Sequence, residues 1–187
     1  MDDRILVSEA KKGNISSFEK LVEQYQTKAF NLAYRILGNS EDAADAVQDA
    51  LIKVYKNLGS FRESSKFSTW LYRITYNTCL DYLRKNKRIA ASALDPSSPD
   101  NGPTLQEAAE KNERTEKIQR AVASLSPEYR VAVVLRDING HSYEEAALIL
   151  GCSIGTVKSR INRGRQKLKE LLSDYLEQNQ DTDRQNQ

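Results

Sequence analysis

Wherever apolar residues recur in this chain, they recur at helical spacing. Leu21, Val22, Tyr25, Ala29, Leu32, Ala33 and Ile36 return every three or four positions, and Ala43, Ala46, Val47, Ala50, Leu51, Val54 and Leu58 repeat the pattern. Such a period puts each set on one side of a helix. No stretch of any length alternates apolar and polar residues as a half-buried strand does. The chain is therefore expected to be all-α. Its punctuation agrees. A first helix within residues 2–11 stops near Gly13, Ser16 with Glu19 forms a capping-box pattern for a second that ends at Gly38, and Asn39 or Ser40 caps a third that ends at Gly59. The loop SFRESSK then leads into a long helix from Phe67, aromatic at its start and basic at its end.

The helical pattern lapses once. Residues 90–113 hold three of the four prolines, several serines and a net charge of −4, whereas residues 1–89 carry +4 and residues 114–187 carry +2. This composition predicts a flexible acidic linker between two small helical domains, residues 1–89 and 114–176, with a disordered tail at 177–187. At 187 residues and 39% hydrophobic content, two modest cores are what the chain can build. Two basic ends around an acidic middle suit contact with a polyanion.

Other classes lose support. The N-terminal MDDRILVSEAKKG has no apolar run suited to a signal peptide, and no segment approaches the roughly 20 apolar residues of a membrane span. A cytoplasmic protein without membrane insertion is expected. Cys79 and Cys152 are isolated from each other and from any Cys/His cluster, so each reads as a small buried hydrophobe, with no disulfide, metal or cofactor indicated. A single histidine, His141 in an NGHSY turn, and the lack of a glycine-rich phosphate loop argue against an enzyme.

The C-terminal half carries the more specific constellation. After Ser126-Pro127 opens a helix, Ser142 with Glu145 caps a short one that ends at Gly151, and Ser153 caps a longer one. A short helix, a tight turn and a longer helix have the dimensions of a helix-turn-helix, with small Ala147 permitting close approach and Ile154 and Val157 filling the angle. On the second helix Val157, Ile161, Gly164, Leu168, Leu171 and Leu172 form the packing stripe. Ser159, Asn162, Arg163 and Gln166 face the other way, flanked by Lys158, Arg160 and Lys167. Arg and Lys donate to guanine O6/N7, Asn and Gln pair with adenine, and flanking cations meet phosphate.

In the N-terminal half, Phe61, Phe67, Trp70, Tyr72, Tyr76 and Tyr82 interleave with Arg62, Lys66, Arg73, Arg84, Lys85, Lys87 and Arg88. Aromatics stack on unpaired bases and cations follow the backbone, so the segment reads as a single-strand platform, with Trp70, Leu71 and Ile74 assigned to the core. One helix earlier Glu41, Asp42, Asp45 and Asp49, with Gln48 beside them, make an acidic face unsuited to DNA. It reads either as dipole-favoured acids at a helix start or as a protein docking face.

Taken in order, DAADAVQD (Asp42–Asp49), FRESSKFSTWLYRITYN and SYEEAALILGCSIGTVKSRINRGRQKL resemble the bacterial sigma factors of the extracytoplasmic-function (ECF, group IV) subfamily of the sigma-70 family. The resemblance covers nearly the whole chain except the linker and the last ten or so residues. It implies a region 2 helical bundle and a region 4 helix-turn-helix, and it gives the exposed faces roles. Asp45, Gln48 and Asp49 match positions that dock on the β′ clamp helices of RNA polymerase core, with the β flap as a second polymerase contact. Phe61, Arg62, Ser64, Lys66, Arg73, Asn77, Arg84 and Lys85 match the part that captures unpaired bases of the −10 element. Lys158, Ser159, Asn162 and Arg163 match the readers of the −35 element, with Thr156, Arg160, Arg165 and Lys167 as phosphate contacts. It further implies promoter-specific transcription initiation, control by an anti-sigma factor, a monomer when free of partners, and a linker whose Asp95, Asp100 and Glu107 lie along the path of nascent RNA. Ala44 stands where relatives often carry an acid, and Leu51 where they often carry Phe. The alternative is a free-standing helix-turn-helix regulator, which leaves DAADAVQD and the aromatic-basic segment without a purpose.

Overall fold

The computed structural model describes residues 2–62, 65–92 and 109–185. These are helix and turn, with no strand among them. In order they form α1 (Asp3–Lys11), α2 (Ile15–Leu37), α3 (Ser40–Asn57), a 3₁₀ turn (Leu58–Ser60), α4 (Phe67–Ser92), α5 (Ala109–Ser124), α6 (Pro127–Val133), a π-helical turn (Val134–Ile138), α7 (Tyr143–Leu150) and α8 (Ile154–Gln185). The chain divides into two compact units, with α1–α4 in the first and α5, α6 and α8 in the second.

In the first unit α2, α3 and α4 pack on one another and α1 packs on α2. Ala43, Ala46 and Ala50 of α3 are wholly buried, and their small side chains let the neighbouring helices come close. Leu6, Val7 and Ala10 of α1 join Leu21, Val54, Leu58, Phe61, Phe67 and Leu71 in one core, with Leu51, Trp70 and Ile74 partly buried against it. Full burial of each large aliphatic or aromatic side chain stabilises the fold by about 1.5–3 kcal/mol. The start of α2 differs from expectation: Asn14, not Ser16, is the cap, its Oδ1 accepting from the Ser17 N–H at 3.1 Å. Gly13, at φ 91°, turns the chain so that Asn14 arrives first. Asn39 caps α3 as expected, accepting from Glu41 and Asp42.

In the second unit α6 crosses α8 where Gly164 lies. A Cβ there would stand 2.6 Å from Val133 Cγ2, so only glycine fits. Val131, Val134, Leu135, Val157 and Ile161 are buried. Arg130 donates to the carbonyls of Ala123 and Leu125 at the end of α5, satisfying groups the helix leaves open. The π-helical turn, with the Asn139 N–H donating to the Val134 carbonyl at 2.9 Å, was not foreseen. The Ser142/Glu145 capping box forms in both directions, at 3.0 and 3.1 Å.

Several boundaries and burials depart from the sequence reading. Residues 90–92 and 109–113, assigned to the linker, are helical, and the rest of it, with Asp95, Asp100 and Glu107, lies outside the described residues. Helix α8 runs on to Gln185 through the expected tail, because nothing after Gly164 breaks a helix. Leu171 and Ile154 are 54% and 39% exposed, so neither packs as expected. Cys79 is buried, but Cys152 is only half-buried.

Candidate nucleic-acid interface

Helix α8 is set by its first turn. Ser153 Oγ accepts from the Thr156 N–H at 3.1 Å and lies 2.9 Å from Thr156 Oγ1. Val157 and Ile161 then anchor the helix, which fixes the opposite side outward: Lys158, Ser159, Asn162, Arg163 and Gln166 are all exposed. The Ser159 hydroxyl donates to the Thr156 carbonyl at 2.9 Å. Sequence reasoning missed two neighbours of this face. Lys158 Nζ sits 5.4 Å from the centre of the Tyr143 ring, and Arg136 lies over the same ring at 4.7 Å. The two cations share one ring, whose π-electrons attract both. Hydrogen bonds from its own N–H and from Ser142, aided by Lys158 and Arg136, hold the nearby Glu144 carboxyl below its ordinary range.

The expected phosphate contacts divide. Lys167 is exposed, 5.8 Å from the Tyr129 ring centre, and Thr156 is half-buried. Arg160 pairs with Glu128 at 3.3 Å and approaches Cys152 Sγ at 3.9 Å. Arg165 makes two parallel bonds to the Asp137 carboxylate, at 3.0 and 2.5 Å, the fork geometry that suits guanidinium to carboxylate. That hydrogen bonding raises the Arg165 pKa further. Both arginines are thus already engaged within the protein.

In the first unit Lys66, Arg73, Asn77 and Arg84 fall on one exposed side of α4 and its leading residue, at spacings of seven, four and seven positions. Arg62 and Lys85 are exposed as well, and Arg84 lies 3.5 Å from Asp81. Ser64 and the side chains of Lys87 and Arg88 lie outside the described residues. Phe61 is a correction. Its side chain is 6% exposed, with ring centres 4.9 Å from Trp70 and 5.9 Å from Phe67, so it is a core ring and not a stacking surface. Tyr72 and Tyr76 are buried too, and only Trp70 and Tyr82 keep partial exposure.

The acidic side of α3 is exposed at Asp45, Gln48 and Asp49. Tyr82 donates to Asp49 at 3.1 Å and Asn86 to Asp42 at 3.3 Å. Desolvation first, then the bond to Asp49 and the nearby carboxylates, pushes the Tyr82 hydroxyl up to about 12. Beside this face α2 and α3 enclose an open apolar groove of about 720 Å³, lined by Phe18, Val22, Phe30, Leu51, Ile52 and Tyr55 among others. Ala44 and Leu51, the two departures noted above, both line it. Among the described residues no group of acidic, His or Cys side chains is arranged to hold a metal, and no helix is long and apolar enough to cross a membrane.

Comparison with known proteins covers both units. The family description Sigma-70 region 2 fits residues 21–89, and Sigma-70, region 4 fits residues 115–168. ECF RNA polymerase sigma factor SigE of Mycolicibacterium smegmatis is 40% identical over 85% of the chain, which spans only 63% of that relative. ECF RNA polymerase sigma-E factor of Escherichia coli K12 is 39% identical over 94% of the chain and 97% of the relative. Among solved structures, the sigma factor RpoE in complex with the anti-sigma factor NepR from Bartonella quintana superposes with a TM-score of 0.70, at 30% identity, over 83% of this chain and 96% of that one. CnrH in complex with the cytosolic domain of CnrY gives 0.69, at 31% identity, over 92% and 97%.

Proposed function

The chain belongs to the ECF sigma factors of the sigma-70 family, and from that membership we propose that it is a dissociable subunit that directs RNA polymerase core to promoters. The family is one of non-enzymatic initiation factors, and polymerase supplies the chemistry. Residues 1–89 act as region 2 and residues 114–176 as region 4. Lys158, Ser159, Asn162 and Arg163 read the −35 duplex in the major groove. Arg62, Lys66, Arg73, Asn77, Arg84 and Lys85 take the unpaired −10 strand, with Trp70 and Tyr82 as the accessible rings. Asp45, Gln48 and Asp49 dock on polymerase. The protein works in the cytoplasm, where polymerase is, and is a monomer when free.

One observation carries this reading: a single chain presents a base-reading face on α8, a cationic-polar face on α4 and an acidic face on α3. A free-standing regulator uses only the first. Capture of unpaired bases offsets melting by about 1–3 kcal/mol per stacked base, and each DNA site alone is weak until polymerase fixes their spacing. The similar structure of RpoE holds the anti-sigma factor NepR, which supports control of this chain by such a partner.

The test is run-off transcription with core polymerase on a library of −35 and −10 variants. Dependence on both elements is expected, and Asn162→Ala or Arg163→Ala should relax preference at individual −35 bases by about 1–3 kcal/mol for each well-made contact. A stable dimer that ignores core and transcribes nothing is the result that overturns the reading.

A further inference from the structure

Lys11 ends α1, outside both matched family segments, yet it reaches across the fold to the root of the loop that precedes α4. Its Nζ donates to the Phe61 carbonyl at 2.6 Å and lies 5.5 Å from the centre of the Phe61 ring. The same helix inserts Leu6, Val7 and Ala10 into the core that holds Phe61 and Phe67. Phe61 is held from the other side as well, its N–H donating to the Leu58 carbonyl at 3.1 Å.

We infer that Lys11 is a positioning residue for −10 recognition, fixing the peptide from which Arg62 leaves the core; this rests on the −10 role proposed above. The reasoning is geometric. A peptide unit is planar, so a bond that fixes the Phe61 carbonyl also fixes the N–H of Arg62 and the direction in which the chain departs. The chain returns to the same aromatic cluster at Phe67, whose ring meets that of Phe61 edge to face. Both ends of residues 62–66 are therefore anchored on one cluster, and Lys11 is the charged tie at the upstream end.

Full-length protein reconstituted with core polymerase tests this, using a single-stranded oligonucleotide carrying the −10 sequence selected in the run-off library and its single-base variants. Lys11→Met keeps the aliphatic stem and removes the donor and charge; Lys11→Arg keeps both. The Met variant should lose about three- to tenfold of the wild-type ratio between the best and the substituted −10 strands, a part of what a charged hydrogen bond contributes, while Arg restores most of it. Core affinity and −35 duplex binding should stay at wild-type values, with the unfolding midpoint lowered only as far as the loss of one hydrogen bond requires. Undiminished −10 discrimination in Lys11→Met overturns the inference, and so does a parallel fall in core, −35 and −10 binding, which is the mark of a merely structural lysine. Wild-type protein that discriminates nothing at −10 instead removes the underlying functional reading, and this inference with it.

Discussion

Cys79 and Cys152 carry the same thiol in different surroundings. Cys79 is 0% exposed on α4, and burial pushes its thiol up to about 12, whereas Cys152 is half-buried just before α8. Since the thiolate is the reactive form, a maleimide at pH 8 should label Cys152 in the folded protein and reach Cys79 only in denaturant. Peptide mass mapping checks this, and equal native labelling would contradict the buried assignment. Burial also pushes Tyr72 up to about 12. The ordinary values are 9.0 for the thiol and 10.0 for the phenol. Between those values and about 12 the unfolded chain has released protons that the folded chain still holds, so stability falls as pH rises. The thermal midpoint should be insensitive to these groups below about pH 8 and should drop steadily from about pH 9 towards 12.

At the scale of elements, Gly164 sets how closely α6 and α8 cross. Gly164→Ala gains about 1 kcal/mol of helix propensity but drives a methyl onto the stiff side chain of Val133, an overpacking cost of about 1–3 kcal/mol. Net destabilisation of the C-terminal unit is expected, seen as a lower urea midpoint, with Val133→Ala in the same chain relieving part of it. The elements themselves were legible because apolar period and caps are local. The Ser142/Glu145 box is written in four consecutive residues and formed as read. What escaped was not local. The π-helical turn rests on an i to i−5 bond that no residue type announces, and Asp137 meets Arg165 across 28 positions. Phe61 was misread for a related reason. Aromatics interleaved with cations look alike whether the ring faces bases or the core, and only the packing of α1 against the 3₁₀ turn decides it. The outward face of α8 was readable because the apolar stripe fixed it, while the partners of Arg160 and Arg165 lay on other elements.

For the whole molecule, charge is arranged differently in the two units: α8 of the second has acids paired to its cations, whereas the first keeps acidic and basic faces apart. Acids gather on α3 and cations on α4, so a reversal on one face should leave the other intact. Asp45→Arg is expected to abolish co-purification with core polymerase while circular dichroism and −35 duplex binding remain unchanged; retained co-purification would remove the docking role. The ion pairs on α8 have a further consequence. Protein binding to duplex DNA expels condensed counterions, and the logarithm of affinity falls against the logarithm of salt by about 0.9 for each phosphate neutralised. The six cations from Lys158 to Lys169 suggest a slope of about −5, but Arg160 and Arg165 are already neutralised by Glu128 and Asp137. The slope due to α8 should therefore be nearer −3.5, and Glu128→Gln with Asp137→Asn should steepen the holoenzyme's salt dependence by up to about 2 units. A helix dense in positive charge is in this way made less sensitive to ionic strength than its composition suggests, and promoter binding should persist across a wider range of cellular salt.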